Sequence, residues 1–289
     1  MATIQSWCTL GNVAGGDLLN IWFGTMRDFT IHIYEQLLQA IQDAGYTFLT
    51  FEQYCELRRN NNLPARYVIL RHDVDKRPLF SVRTAEAEAL AGAKASYYFR
   101  IGSESNNPDC IKRIAALGHE IGYHYEDMSL CHGDHAKAYE HFCNALDYFR
   151  QFYPVRTCCM HGAPMSKYDS RALWDKYSYK DLQLIGEPYY DVDFSQVLYL
   201  TDTGRCWDGY RYSLRDKVPE QQQRWNDAGW SFHSTGDIIR ALQDGKLPAG
   251  IMFTTHPQRW TDKQLPWLRE LIEQNIKNII KGILSLHRG

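Results

Sequence analysis

The densest concentration of reactive side chains is Arg71-His72-Asp73-Val74-Asp75, which closes the apolar run Tyr67-Val68-Ile69-Leu70. Read as a buried strand, the run places side chains at i and i+2 on one face. Asp73 and Asp75 then point together into the mouth of whatever sheet or barrel holds them. Two crowded carboxylates cost free energy unless a metal, a proton or a cationic group compensates. The economical chemistry is a metal ligand beside a general base.

Other apolar runs end in the same manner. His124 and Glu126 follow Glu120-Ile121-Gly122-Tyr123, His161 follows Thr157-Cys158-Cys159-Met160, Asp202 follows Val197–Thr201, and His256 follows Gly250–Thr255. In a (β/α) barrel the active site is built on the rim at the C-terminal ends of several strands. His119 opens its strand and is expected at the opposite end. His132 and His135, along a glycine-containing loop, read as structural.

The elements that must carry these residues alternate. Apolar residues at Ile33, Leu37, Leu38, Ile41 and Ala44 predict a helix closed by Gly45, followed by a strand at 46–50 and a helix at 51–59. Beyond the strand at 67–72, helices are predicted from Pro78 to about Leu90, from Pro108 to Leu117 and from about His135 to Tyr153. Strands are predicted at 95–101, 120–124 and 157–161. Further strands are expected at 197–201, 230–233 and 250–255, with a helix from Thr235 capped by Ser234 and a last helix bearing Leu268, Leu271, Ile272, Ile279, Ile280 and Ile283. About eight strands alternating with helices predict a parallel α/β architecture. No linker divides the chain, so residues 1–289 are read as one domain with a loop-rich insertion at about 168–230; residues 1–28 show no periodicity.

Composition narrows the function classes. A net charge of -2 without a long basic run argues against nucleic acid or an anionic membrane as partner. No apolar run of ~18 residues offers a membrane span. The N-terminal stretch lacks a basic region, glycines interrupt it, and the eight cysteines form no CxxC pair. Free thiols and a cytoplasmic location are the expectation.

Arg71–Asp75, Gly118-His119-Glu120-Ile121-Gly122-Tyr123-His124 and Thr255-His256-Pro257, in this order and spacing, resemble motifs of the NodB-homology polysaccharide deacetylases, carbohydrate esterase family 4. The resemblance spans residues ~67–260. His161-Gly162-Ala163-Pro164, Gly186-Glu187-Pro188-Tyr189, Thr201–Arg205 and His256–Trp260 are similar, more narrowly, to a branch associated with surface-polysaccharide and lipopolysaccharide (O-antigen) sugar biosynthesis. The resemblance implies a distorted (β/α)7 barrel and metal-dependent hydrolysis of an acetyl or other acyl group on an N-acylated sugar or glycan intermediate. It makes Asp73 the catalytic base, Asp75 and His124 metal ligands, and His256 the acid that protonates the leaving amine. Zn²⁺ suits mixed oxygen and nitrogen ligands with an open position, and Fe, Co or Ni suit them too.

Two departures from the family pattern mark open positions. Met128 stands where a second histidine is usual, four residues after His124. Glu126 shares the face of His124 if the chain stays extended and is the favoured third ligand; His161 from the next strand, or Asp127 if the chain turns helical at once, are the alternatives. The family's base-orienting arginine is also displaced. Arg156 starts its strand, about 15 Å from the strand end at ~3.3 Å per residue, leaving Arg71 or Arg205 to orient Asp73. His161, Asp202, Arg205 and Trp260 are the expected substrate contacts; Trp260 would floor a sugar ring or, equally, anchor the last helix. Two other functions compete: a catalytically degenerate barrel that binds glycan or biosynthetic partners, and hydrolysis of a formyl or other amide at the same site.

Overall fold

The computed structural model describes residues 27–208, 215 and 217–286. The aperiodic stretch 1–28 therefore lies almost wholly outside the described residues. Helix α1 (Ile31–Asp43) starts at Thr30, whose hydroxyl accepts from the Ile33 amide, and buries Tyr34, Leu37, Leu38 and Ile41. Strand β1 (Thr47–Leu49) leads into α2 (Phe51–Arg59), opened by a capping box of Thr50 and Gln53. Next come β2 (Tyr67–Val74), α3 (Leu79–Leu90), β3 (Ser96–Phe99), α4 (Pro108–Ala116), β4 (Glu120–Tyr125), the single turn α5 (Asp127–Leu130), α6 (His135–Arg150) and β5 (Cys158–Met160). The remainder holds α7 (Pro188–Asp191), β6 (Val197–Thr201), α8 (Pro219–Asp227), α9 (Thr235–Gln243), β7 (Gly250–Thr255) and α10 (Gln264–Leu286). Among the described residues no helix is long and apolar enough to cross a membrane.

Every strand pair is parallel, in the order β5-β4-β3-β2-β7-β6. Strand β7 runs along β2 from Tyr67 to His72, so β1 (on Tyr67–Ile69) and β3 (on Arg71–Val74) share the opposite edge of β2 end to end. Between β5 and β6 the described residues show no ladder; a lone bridge joins Thr157 to Gly186 near that gap. The seven strands form a curled, open (β/α) barrel, distorted as the sequence predicted, with β2 near its middle.

Strand β2 is buried along its whole length, as expected of a parallel strand covered on both faces. Alternation sends Arg71 and Asp73 inward and His72 outward, toward the helices. There His72 Nε2 lies 2.5 Å from Glu88 of α3, which also accepts from the hydroxyls of Tyr34 (2.5 Å) and Tyr97 (2.6 Å). Thr255 Oγ1 meets the other ring nitrogen at 2.6 Å. This buried carboxylate has a full set of donors, and it ties α1, β2, β3 and α3 together behind the site. Gly122 in β4 is required by packing: a Cβ there would lie 2.3 Å from the Tyr98 ring.

Two expectations need correction. Residues 230–233 are not a strand: Phe232 is buried but the segment is an irregular run into the Ser234 cap of α9. The stretch 168–230, expected as a loop-rich insertion, is no insertion into the barrel, because the strand expected at 197–201 is β6 of its sheet and carries Asp202 at its end.

Candidate metal centre and catalytic cleft

Asp73 is buried inside the barrel and gripped by Arg71 two residues earlier, through Nε (2.9 Å) and Nη2 (2.7 Å). Such a two-point grip fixes the carboxylate plane as well as its charge. Burial opposes the Arg71 cation, yet Asp73 more than restores it and holds its pKa well above the usual value. Arg71, not Arg205, is the arginine at Asp73.

Asp75 sits just past the end of β2, where β4, β5 and β7 converge. Its Oδ1 lies 3.6 Å from His124 Nε2 and 3.4 Å from His161 Nε2, and its Oδ2 lies 3.7 Å from His256 Nε2. Asp73 Oδ2 is also 3.6 Å from His124 Nε2. The opposite nitrogens decide what these atoms offer. His124 Nδ1 is 2.9 Å from the Cys159 carbonyl, and His161 Nδ1 is 2.9 Å from Glu126 Oε2. Both partners only accept, so each Nδ1 carries a proton, and a ring that carries no second proton turns an Nε2 lone pair toward Asp75. Asp75 Oδ1 is buried without a hydrogen-bond donor. Two lone pairs and an orphaned carboxylate oxygen facing one another suit a divalent cation in chemistry and count. Asp75, His124 and His161 form one of the two groupings of metal-capable side chains among the described residues; the other joins Asp73, His124 and buried Cys159. Burial works against ionising Asp75, but His161, His124 and His256 in their protonated forms hold it well below the usual carboxylate range, the role that a metal cation would take over.

Glu126 stands elsewhere than expected. The chain leaves the strand at Tyr125, and Glu126 (φ -141°, ψ 27°) becomes the residue preceding α5. Its carboxylate turns to His161 Nδ1 and to Arg100 Nε (2.7 Å), outside the Asp75–His124–His161 grouping. Burial alone would raise its pKa; the bonds and charges of His161 and Arg100 bring it down to about 2. Asp127 is held away by Tyr123 and His141, Met128 is buried in the core, and His119 sits at the opening of β4. Arg100 also donates to the Asp75 carbonyl (3.2 Å). The sequence reading passed over Arg100, although the rule of polar residues at strand ends applies to it, since it immediately follows β3.

His256 ends β7 opposite this cluster. Asp202, fully buried at the end of β6, accepts from the His256 amide (3.0 Å) and from its Nδ1 (2.6 Å). It also accepts from Trp260 Nε1 (2.9 Å) and from the Arg259 guanidinium. Arg259 Nη1 is 2.8 Å from His256 Nδ1 as well; guanidinium only donates and carboxylate only accepts, so we assign the Nδ1 proton to the Asp202 bond. Burial opposes the Asp202 charge, and Arg259 and His256 keep its pKa lowered all the same.

These groups open on a cleft of about 470 Å³ lined by Asp73, Asp75, His124, His161 and His256 among others. Three expected substrate contacts do not line it. Asp202 lies beneath His256. Trp260 is a core residue packed on Phe29 and Tyr34. Arg205 stacks on Trp267 (4.5 Å) and Phe29 (5.5 Å), donates to the Trp267 carbonyl, and is brought down to about 10 by burial. The cleft wall includes Tyr189, whose ring Arg71 (5.3 Å) and Arg171 (5.5 Å) approach. The loop after His161 is tied down by Arg215, which donates to the carbonyls of Gly162, Ala163 and Ser166.

No family model and no curated protein matches the chain. Solved structures that resemble it include the deacetylase PplD of Streptococcus pyogenes, at 16% identity over 61% of this chain and 77% of that one, with a TM-score of 0.44. A carbohydrate esterase family 4 pseudoenzyme of Bacillus anthracis, BA3943, aligns at 14% identity over 74% and 65%, with a TM-score of 0.40. The family 4 carbohydrate esterase PdaA of Bacillus subtilis aligns at 12% over 83% and 84%, with a TM-score of 0.37. All three fall below a TM-score of 0.5, and the reading of the site rests on its own geometry.

Proposed function

We propose that this chain is a metal-dependent hydrolase that removes an acetyl or other acyl group from an N-acylated sugar, a step fitting surface-polysaccharide biosynthesis. The observation that carries the reading is the convergence of two histidine Nε2 atoms on the orphaned Asp75 Oδ1 at 3.4–3.6 Å, within reach of two further groups suited to proton transfer. Asp75, His124 and His161 would hold the ion, and Zn²⁺ matches two nitrogens and a carboxylate with an open position. His161 thus fills the gap left by Met128, and Glu126 and Arg100 orient it from behind.

When bound, the ion would supply Lewis acidity to the acyl carbonyl and the attacking water. Asp73, aligned by Arg71, accepts the proton of that water. His256 presents Nε2 to the cleft because Asp202 holds its Nδ1, and as an imidazolium it donates to the departing nitrogen. Asp202 stabilises the cation that this requires. Tyr189 and the loop held by Arg215 border the space left for the sugar.

The roles of the paired acids separate in one comparison. Asp73→Asn is expected to keep the ion while acyl release from an N-acetylated oligosaccharide falls roughly 10²–10⁴-fold, read by acetate production beside metal analysis of the same sample. Loss of the ion together with activity in Asp73→Asn would show that the base and ligand roles are wrongly divided. A wild-type protein that holds metal and binds glycan without releasing acyl groups would support the degenerate barrel instead.

A further inference from the structure

The charges that line the cleft are out of keeping with a chain of net charge -2. Six cations face it (Arg71, Lys76, Arg100, Arg215, Arg259 and Lys277) against four acids, Asp73, Asp75, Glu104 and Glu270. Several of the cations are spoken for. Arg71 is paired with Asp73, Arg100 with Glu126, and Lys76 with Glu273 (3.1 Å) and Glu270 (3.5 Å). Asp75 belongs to the metal reading, and a divalent ion there would make the cleft more positive still.

The excess gathers on the wall made by α10 and the turn after His256. Lys277 lines the cleft there, and no carboxylate lies within ion-pair distance of it among the described residues. Arg259 spends Nη1 on Asp202, but its Nε is buried without an acceptor. Desolvation lowers the Lys277 pKa first, Lys76 and Arg259 lower it further, and Glu270 and Glu273 offset them only in part. Gathering like charges costs free energy that a bound anion would return. Neutral glycan would leave that cost standing.

We propose that Arg259 and Lys277, beside the carboxylate-paired Lys76, form a subsite for a compact oxyanion, so that the substrate is an acylated sugar bearing a phosphate rather than a neutral glycan. The inference rests on the acyl-sugar reading and deepens it. The phosphate sits on the His256 side of the cleft, away from the wall formed by Tyr189.

Binding tests this without turnover. Calorimetry at low salt compares N-acetylglucosamine 1-phosphate with N-acetylglucosamine on the zinc-loaded protein and on the chelator-stripped protein. The phosphorylated sugar is expected to bind at least tenfold tighter in both forms. Lys277→Met, on the exposed side of a helix, is expected to erase most of that preference with zinc content unchanged. An N-acetylated uronic acid in a parallel arm distinguishes phosphate from carboxylate; equal preference for it would overturn the assignment to phosphate. Equal binding of charged and neutral sugars, or no binding of either, overturns the subsite. So does a preference that vanishes with zinc, since the phosphate would then sit on the ion. A preference that survives in a protein without acyl-hydrolase activity keeps the subsite and sinks the catalytic reading, so the two failures are distinguishable.

Discussion

Asp75 and Asp202 are both acids at the ends of barrel strands, both beside His256, and they live in opposite circumstances. Asp202 is fully buried and takes donors from the His256 amide and ring, from Trp260 and from Arg259. Asp75 has a buried Oδ1 with no hydrogen-bond partner and two histidine Nε2 atoms turned toward it at 3.4–3.6 Å. A buried carboxylate surrounded by donors is a finished part of the scaffold, and what it does is hold something else in place. One facing acceptors is unfinished until a cation arrives. Glu88, with His72, Tyr34 and Tyr97 around it, belongs with Asp202 and shows the finished state where no chemistry is near.

The comparison breaks most visibly at Asp202. Asp202→Asn is expected to cut acyl release about 10²-fold or more, through loss of the bond that presents His256, with metal content unchanged. The variant also leaves Arg259 buried without its anion, a loss of ~3–5 kcal/mol for a broken buried pair, read by denaturant unfolding. Coincident loss of metal in Asp202→Asn would mean that the two acids belong to one site and the contrast is wrong. The charge has a pH signature. The folded pKa of Asp202 is lowered, so its contribution to stability is present above the unfolded carboxylate range and is lost as pH falls through the folded value.

Glu126 gives the intermediate effect. As the partner behind His161, its replacement by Gln is expected to weaken zinc affinity about 10–100-fold, measured by competition with a chromophoric chelator. Complete loss of binding would restore Glu126 as a direct ligand.

The two acids looked alike in sequence. Each follows an apolar run, and the i, i+2 rule groups Asp73 with Asp75, each 3.6 Å from His124 Nε2, although Asp75 already lies one residue past β2. The same rule misplaced Glu126, since the chain abandons the strand at Tyr125 and begins a helical turn. That departure depends on how α5 meets α6, which no local pattern reveals. Arg205 is expected at the site from its neighbours in sequence, and Trp260 either there or in the core, where it is found. Their surroundings come instead from distant segments: Phe29 and Trp267 for Arg205, Phe29 and Tyr34 for Trp260. Residues 230–233 mimic a strand through alternation of Trp230 and Phe232 with polar residues, but seven other strands make up the sheet.

The smallest expected effect concerns Glu187, a buried acid whose oxygens accept from the amides of Met160 and Tyr189. Burial pushes its pKa up to about 7. A carboxyl with a raised folded pKa binds its proton more tightly folded than unfolded, so stability falls as pH rises from about 4.5 to 7. The denaturation midpoint is expected to drift down across that window, and Glu187→Gln to flatten the drift. A profile identical in the two proteins would remove Glu187 from the account.

The central claim is that Asp75, with its unpartnered oxygen, completes a cation site. The most direct measurement is the zinc content of wild-type and Asp75→Asn protein, purified without chelator and dialysed against trace zinc at neutral pH. The account predicts about one ion per wild-type chain, and almost none in a folded Asp75→Asn variant, because the substitution removes the charge that the histidine lone pairs need beside them. Equal zinc in both, or none in either, would contradict it.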